Sequence, residues 1–256
     1  MRLAIANQKG GVGKTTTTVN LAAALGHLGR RVLVIDLDPQ GNASTGLGVR
    51  RAARARSIYD VLLGNATIAA ATSPTSARNV EIVPATVDLS GAEIDLVRFE
   101  DRSFRLRTAL DAAPAVDFVV IDCPPSLGLL TVNALAAADG LLVPLQAEFF
   151  ALEGLSQLVR TLDRVRASAN PALLLSGIVL TMFDRRNKLC EMVASDVRDH
   201  FGETVFETMI PRNVRLSEAP SHGLPALLYD PRATGSEAYM ELAREFLRRV
   251  DVPVPA

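Results

Sequence analysis

Lys9-Gly10-Gly11-Val12-Gly13-Lys14-Thr15-Thr16 decides how the rest of the chain is read. A short apolar run, Leu3 to Ala6, precedes it, and Thr17 to Leu28 follows with the composition of a helix. Strand, glycine-rich loop and helix in that order form a phosphate cradle. Glycines let backbone N–H groups turn inward to meet phosphate oxygens, and the helix N-terminus adds its positive dipole end. Lys14 places an ammonium against the β- and γ-phosphates, and the Thr15 hydroxyl suits Mg²⁺. The stretch therefore predicts a site for ATP or ADP with Mg²⁺ along Lys9, Gly10, Gly11, Val12, Gly13, Lys14, Thr15 and Thr16.

The loop departs from the common pattern G-x-x-x-x-G-K-[ST]. Gln8 stands where the first glycine belongs, and Lys9 adds a second lysine at the loop's start. Three of the chain's 27 basic residues are lysines (Lys9, Lys14 and Lys188), and two of them are here. The loop thus calls for a compact ammonium at both positions, not a guanidinium fork. The motif resembles the deviant Walker A loop of the ParA/MinD family of ATPases. That resemblance implies that Lys9 reaches across a dimer interface to the nucleotide of a second copy.

A length of 256 residues, with 48% hydrophobic and 21% charged, suits one large α/β domain spanning residues 1–256. No apolar run of about 18 residues is present, so no membrane span is expected. The N-terminus reads directly into a strand, so no secretion leader is expected. Cys123 and Cys190 lie far apart without metal-ligand spacing, which points to free thiols in a reducing cytoplasm. A net charge of −1 means that any nucleic-acid contact has to come from a local patch.

Arg31 to Asp36 and Val116 to Asp122 are near-continuous apolar runs that end in carboxylates, as parallel strands buried on both faces do. Ligands bind at the carboxyl edge of such sheets, which brings Asp36, Asp38 and Asp122 to the rim of the phosphate loop. Asp122, at the end of a Walker B-like strand, and Thr15 are candidate metal ligands. Asp38 is a candidate metal ligand and also, with Lys9 and Lys14, a catalytic candidate. Cys123 follows Asp122 where many hydrolytic relatives of such loops carry a general-base Glu, and a thiol is a poor base for water. Further strands are expected at Val80–Pro84, Gly140–Leu145, Leu173–Met182 and Thr204–Ile210. Helices are expected at Arg98–Ala113, Leu127–Ala138, Leu152–Ala167, Lys188–Phe201 and Ser236–Val250, the last stopped by Pro253. The alternation predicts a mostly parallel, doubly wound sheet flanked by helices, of the P-loop NTPase type. Ser57 to Asp60 reads as a capping box. The arginines within Val49–Arg56 read as a solvated face or loop, with a basic patch as the alternative. His27, His200 and His222 have no ligand partners at metal spacing and read as structural.

Asp38-Pro39-Gln40-Gly41-Asn42, Asp122-Cys123-Pro124-Pro125-Ser126 and Pro211-Arg212-Asn213-Val214-Arg215 extend the resemblance to ParA/Soj-type chromosome-partition ATPases. The resemblance implies that Asp38 orients the attacking water, that Pro211 and Asn213 read the adenine, and that Arg186 and Arg215 contact DNA. It also implies slow hydrolysis stimulated by a ParB-type centromere-binding protein. An ATP-bound homodimer would bind double-stranded DNA without sequence preference, in the cytoplasm on the nucleoid. A MinD-like membrane-associated positioning ATPase needs a lipid-binding terminal helix, and the mixed charges of 237–249 do not supply one. A metabolic ATP-dependent ligase on the same fold is a third reading. An iron–sulfur reductase would need cluster cysteines, and Cys123 sits inside the Asp122 motif.

Overall fold

The computed structural model describes residues 1–148 and 150–251. Among them, β1 (Arg2–Ile5), β2 (Val32–Asp36), β3 (Ser73–Pro74), β4 (Val80–Val83), β5 (Phe118–Asp122), β6 (Gly140–Gln146) and β7 (Leu174–Thr181) form one sheet in the order β3-β4-β2-β5-β1-β6-β7. All neighbours pair in parallel except β3, a two-residue antiparallel edge on β4.

The apolar runs form strands because both of their faces are covered. Successive residues alternate between two cores, one on each side of the sheet. Leu3, Ile5, Val32, Val34, Phe118 and Val120 face a core closed by the Lys14–His27 and Thr234–Asp251 helices. Ala4, Leu33, Ile35, Val119, Ile121 and Val143 face the other, closed by helices that include Leu129–Ala137, Ala151–Ser168 and Lys188–Phe201. β1 lies between β5 and β6. The chain leaves β1 for β2 on one side and later reaches β6 on the other, which opens a crevice at the carboxyl end of β1. Register aligns Ile5 and Asp36 with Asp122 from either side, so three strand ends meet at the base of that crevice.

Two expected elements come out differently. Thr204–Ile210 forms no ladder with β7: an isolated bridge joins Ile178 with Val205, and a second, Phe183 with Pro211, lies just past the end of both segments. Phe206 N and Ile210 N donate to Ile178 O and Leu180 O, both at 2.8 Å. Between them, Glu207 N and Thr208 N turn away and donate to the Glu245 carboxylate, each at 2.9 Å. That side chain replaces the ladder, so no strand forms. The second difference lies in Arg98–Ala113, where the α-helix is confined to Arg105–Asp111. Turns closed by Phe99 N to Leu96 O and Phe104 N to Asp101 O occupy the preceding residues. The capping box forms, with Ser57 N and Oγ both donating to Asp60 Oδ2. Of the arginines in Val49–Arg56, Arg50, Arg51 and Arg56 are exposed while Arg54 is buried, against the solvated reading for that one. His222 stacks on Tyr229 with ring centroids 4.9 Å apart. The terminal helix runs Thr234–Asp251, and Pro253 lies outside the described residues.

Candidate nucleotide site

The glycine loop leaves β1 at the crevice, and Gly11 and Gly13 hold φ of +77° and +87°, a region that side chains disfavour. Gly13 starts the Lys14–His27 helix with no side-chain cap and no acidic residue in the first turn. The first-turn N–H groups and the dipole end are thus left for an anion. Thr181 Oγ1 donates to Val12 O at 2.9 Å, so the end of β7 braces the loop. Lys14 is only 7% exposed, and its ammonium donates to Lys9 O at 3.0 Å. Burial lowers its pKa, and the charges of Asp122 and Asp38 act in the opposite direction, which places both carboxylates within its electrostatic reach.

Asp122 is fully buried. Thr18 Oγ1 donates to its Oδ1 at 2.8 Å, while Oδ2 is buried without a hydrogen-bond partner. An orphaned carboxylate oxygen is costly and calls for an explanation. Burial, then the neighbouring Asp36, raises the Asp122 pKa, and the Thr15 and Thr18 hydroxyls oppose that. A hard cation held by Asp122 and Thr15 would satisfy the oxygen. Among the described residues no three His, Cys, Asp or Glu are arranged so as to hold a metal ion by themselves. One carboxylate and one hydroxyl suit Mg²⁺, which keeps several waters and takes one or two protein oxygens. Asp36 is turned to a different job: its carboxylate accepts from Asp38 N (3.2 Å), Ser44 N (2.8 Å) and Ser44 Oγ (2.6 Å). Asp38 remains half-buried at the rim, its Oδ1 held by Gln40 N at 2.9 Å. Burial pushes the Cys123 thiol far up, so it stays protonated and is no base.

Pro211 and Asn213 come to the same place as the loop. A cavity of about 390 Å³ lies between Thr15, Thr16 and Asn20 on one side and Met182, Pro211 and Asn213 on the other. Asn213 caps the Val214–Glu218 helix, accepting from Arg215 N, and its amide donates to Thr234 Oγ1, both at 2.8 Å. Its side chain is therefore partly committed, as is the backbone, where Arg212 N donates to Phe183 O at 3.2 Å. Sequence reasoning missed Asn20, Met182 and Tyr239. Asn20 ties the first helix to Ala226 N at 2.8 Å, and the Thr17 and Tyr239 hydroxyls share a hydrogen bond across 222 residues. Met182 has φ of +50°, a backbone feature with no signature in composition.

Lys9 lies apart from Lys14 at its side-chain end. Its ammonium pairs with Glu148, beyond β6, on the exposed rim. Arg186, its side chain 91% exposed, pairs with Asp184 at 3.0 Å. Arg186 holds the Asp184 carboxyl at about 2. Arg215 pairs with Glu218 at 2.7 Å and Asp230 at 3.3 Å. Both candidate DNA contacts are thus engaged with carboxylates of their own chain. Arg185, Arg186 and Arg212 line one hollow beside the 211–213 turn together with Asp184, Glu207 and Glu241, so its charges are mixed.

Fold and site together define a P-loop ATPase on a doubly wound sheet, and the family model described as an AAA domain matches residues 1–175. The chain is 59% identical over 250 residues to the chromosome partitioning protein ParA of Caulobacter vibrioides, covering 96% of this chain and 94% of that protein. It is 51% identical over 244 residues to the sporulation initiation inhibitor protein Soj of Bacillus subtilis, covering 95% and 96%. The chain belongs to the ParA/Soj family of chromosome-partitioning ATPases. Among solved structures, the cell division ATPase MinD of Pyrococcus furiosus superposes with a TM-score of 0.81 at 29% identity, covering 96% and 98%. Cobyrinic acid a,c-diamide synthase from Mycobacterium smegmatis, with bound ATP analog and magnesium, superposes with a TM-score of 0.85 at 40% identity, covering 97% and 95%.

Proposed function

We propose that this partition ATPase binds ATP with Mg²⁺, pairs with a second copy around two nucleotides, and in that state holds duplex DNA without sequence preference. Hydrolysis, slow until a ParB-type centromere-binding protein stimulates it, ends the DNA-bound state. The carrying observation is the unpartnered Asp122 Oδ2 beside the uncapped, lysine-bearing helix start. Thr15 and Asp122 would hold the ion, which when bound offsets charge on the β- and γ-phosphates. The loop N–H groups and Lys14 bind and orient the phosphates, and the cavity at 211–213 takes the base. Asp38 orients the attacking water, with no help from the protonated Cys123 thiol. Lys9 exchanges Glu148 for the nucleotide of the second copy.

The terminal helix supports this reading over a membrane-positioning one. Tyr239, Met240, Leu242, Ala243 and Phe246 turn its apolar side into the core, where it is not free for lipid. Among the described residues no helix is long and apolar enough to cross a membrane. The structures named as a synthase favour a second reading, an ATP-dependent ligase. Steady-state ATP hydrolysis separates the two when measured alone, with DNA, and with DNA plus a ParB-type protein from the same source. Low turnover that rises with both additions is expected. A rate unmoved by either would contradict the partition cycle.

A further inference from the structure

Arg54 is one of four arginines in a stretch that reads as solvated, yet it is 8% exposed. Its guanidinium satisfies itself on three acceptors from two separate pieces of chain. Nε and Nη2 donate to Val49 O at 3.2 and 2.9 Å, Nη2 to Thr45 Oγ1 at 2.8 Å, and Nη1 to Ala85 O, just past β4, at 2.9 Å. The same fork packs against Gly41. A methyl group on Gly41 would run into Arg54 Nη1 and sit 3.2 Å from Ala85 O, at a φ of +64°.

Gly41 closes the turn that carries Asp38. Its N–H donates to Asp38 O at 2.9 Å, and its carbonyl accepts from Thr45 N at 3.1 Å and Thr45 Oγ1 at 3.0 Å. The Thr45 hydroxyl is therefore shared between Gly41 and Arg54. On the turn's other side, Asp36 accepts from Asp38 N, while Ser44 Oγ links Asp36 to Ala85 N at 3.1 Å. Asp36 and Arg54 are thus both tied to the turn, and their hydrogen bonds converge on Ser44–Thr45 and Ala85.

We propose that Arg54 is the positioning residue for Asp38: its guanidinium locks the Asp38–Gly41 turn and so fixes where the water-orienting carboxylate stands over the phosphate loop. This rests on the reading of Asp38 given above. A lysine cannot take over, because one ammonium does not reach three diverging acceptors in a plane. A carboxylate displaced by about 1 Å costs roughly 100-fold in rate while leaving the phosphate cradle intact.

The test compares Arg54→Met, Arg54→Lys and Asp38→Ala in the full chain. Readouts are single-turnover ATP hydrolysis, affinity for a non-hydrolysable ATP analogue, and hydrogen exchange of residues 38–45. Arg54→Met and Arg54→Lys should both lose roughly 10- to 100-fold in hydrolysis rate. Analogue affinity should hold within about threefold, and exchange should rise at 38–45 but not in the Lys14–His27 helix. If Arg54→Met does not fold, Gly41→Ala presses on the same fork from the other side and should give the same split. Wild-type rate in the Arg54 variants, or a loss of analogue affinity matching the loss of rate, overturns the assignment. Asp38→Ala separates the two levels: an unchanged rate there refutes the role of Asp38 itself. A slowed Asp38→Ala beside unaffected Arg54 variants refutes only the positioning.

Discussion

At Lys14 what matters is charge in a confined place. Lys14, a 7% exposed residue with Asp122 and Asp38 in reach, is in this account the loop's fixed cation for the β- and γ-phosphates. Lys14→Ala should abolish ATP binding in a fluorescent-nucleotide titration, since glycine N–H groups alone leave that charge unmatched. Retained affinity would contradict the assignment. Lys9 is exposed and paired with Glu148, so its removal should leave monomer binding of nucleotide near normal. Lys9→Ala should bind ATP yet fail to dimerise in sizing chromatography with ATP; a normal dimer would reduce Lys9 to a rim residue. Residue types at this scale were legible wherever chemistry and local spacing coincide, as in Lys9 to Thr16 and Asp122. Arg54, Asn20 and Met182 were not, because their partners lie on other elements and no local pattern announces them.

Elements were legible where burial on both faces imposes an unbroken apolar run, as in β2 and β5. Thr204–Ile210 carries the composition of a strand, and what cancels it is a single carboxylate on a helix more than 30 residues later. Glu245, 5% exposed, takes two backbone N–H groups and the Arg249 guanidinium, which itself stacks on Phe206 4.0 Å from the ring centroid. Burial raises the Glu245 pKa, but the N–H bonds from Thr208 and Glu207 and the Arg249 charge outweigh it, and the net shift is downward. Glu245→Gln presents an NH₂ to one of those N–H donors. It should cost about 2 kcal/mol, or roughly 4–8 °C in Tm for a chain of this size. A carboxyl with a depressed folded pKa stabilises above its unfolded pKa and loses that contribution as pH falls through the folded one. The Tm gap between wild type and Glu245→Gln should therefore be full at pH 7 and shrink below about pH 4. A gap that widens in acid would contradict the hydrogen-bonded carboxylate.

For the whole molecule, the sheet brings the phosphate loop, the cavity at 211–213 and the arginine-bearing hollow together, and the proposed account couples nucleotide state to DNA contact through pairing of two copies. With no Trp and few aromatics, stacking on single strands is a poor mode, and phosphate contacts by arginines are the better one. Arg186 and Arg215 exchange Asp184 and Glu218 for phosphates in this account. Two copies that use both residues neutralise about four phosphates, which gives a log–log salt slope of at least about −3.6 in magnitude. Arg215→Ala should lower that magnitude by about 1.8. The most direct measurement is duplex DNA binding across a salt series with ATP, with ADP and with no nucleotide, for wild type and Arg215→Ala. The account predicts tight, salt-steep binding with ATP alone, and a shallower slope in the variant. Equal binding in all three nucleotide conditions, with a slope unchanged by Arg215→Ala, would contradict it.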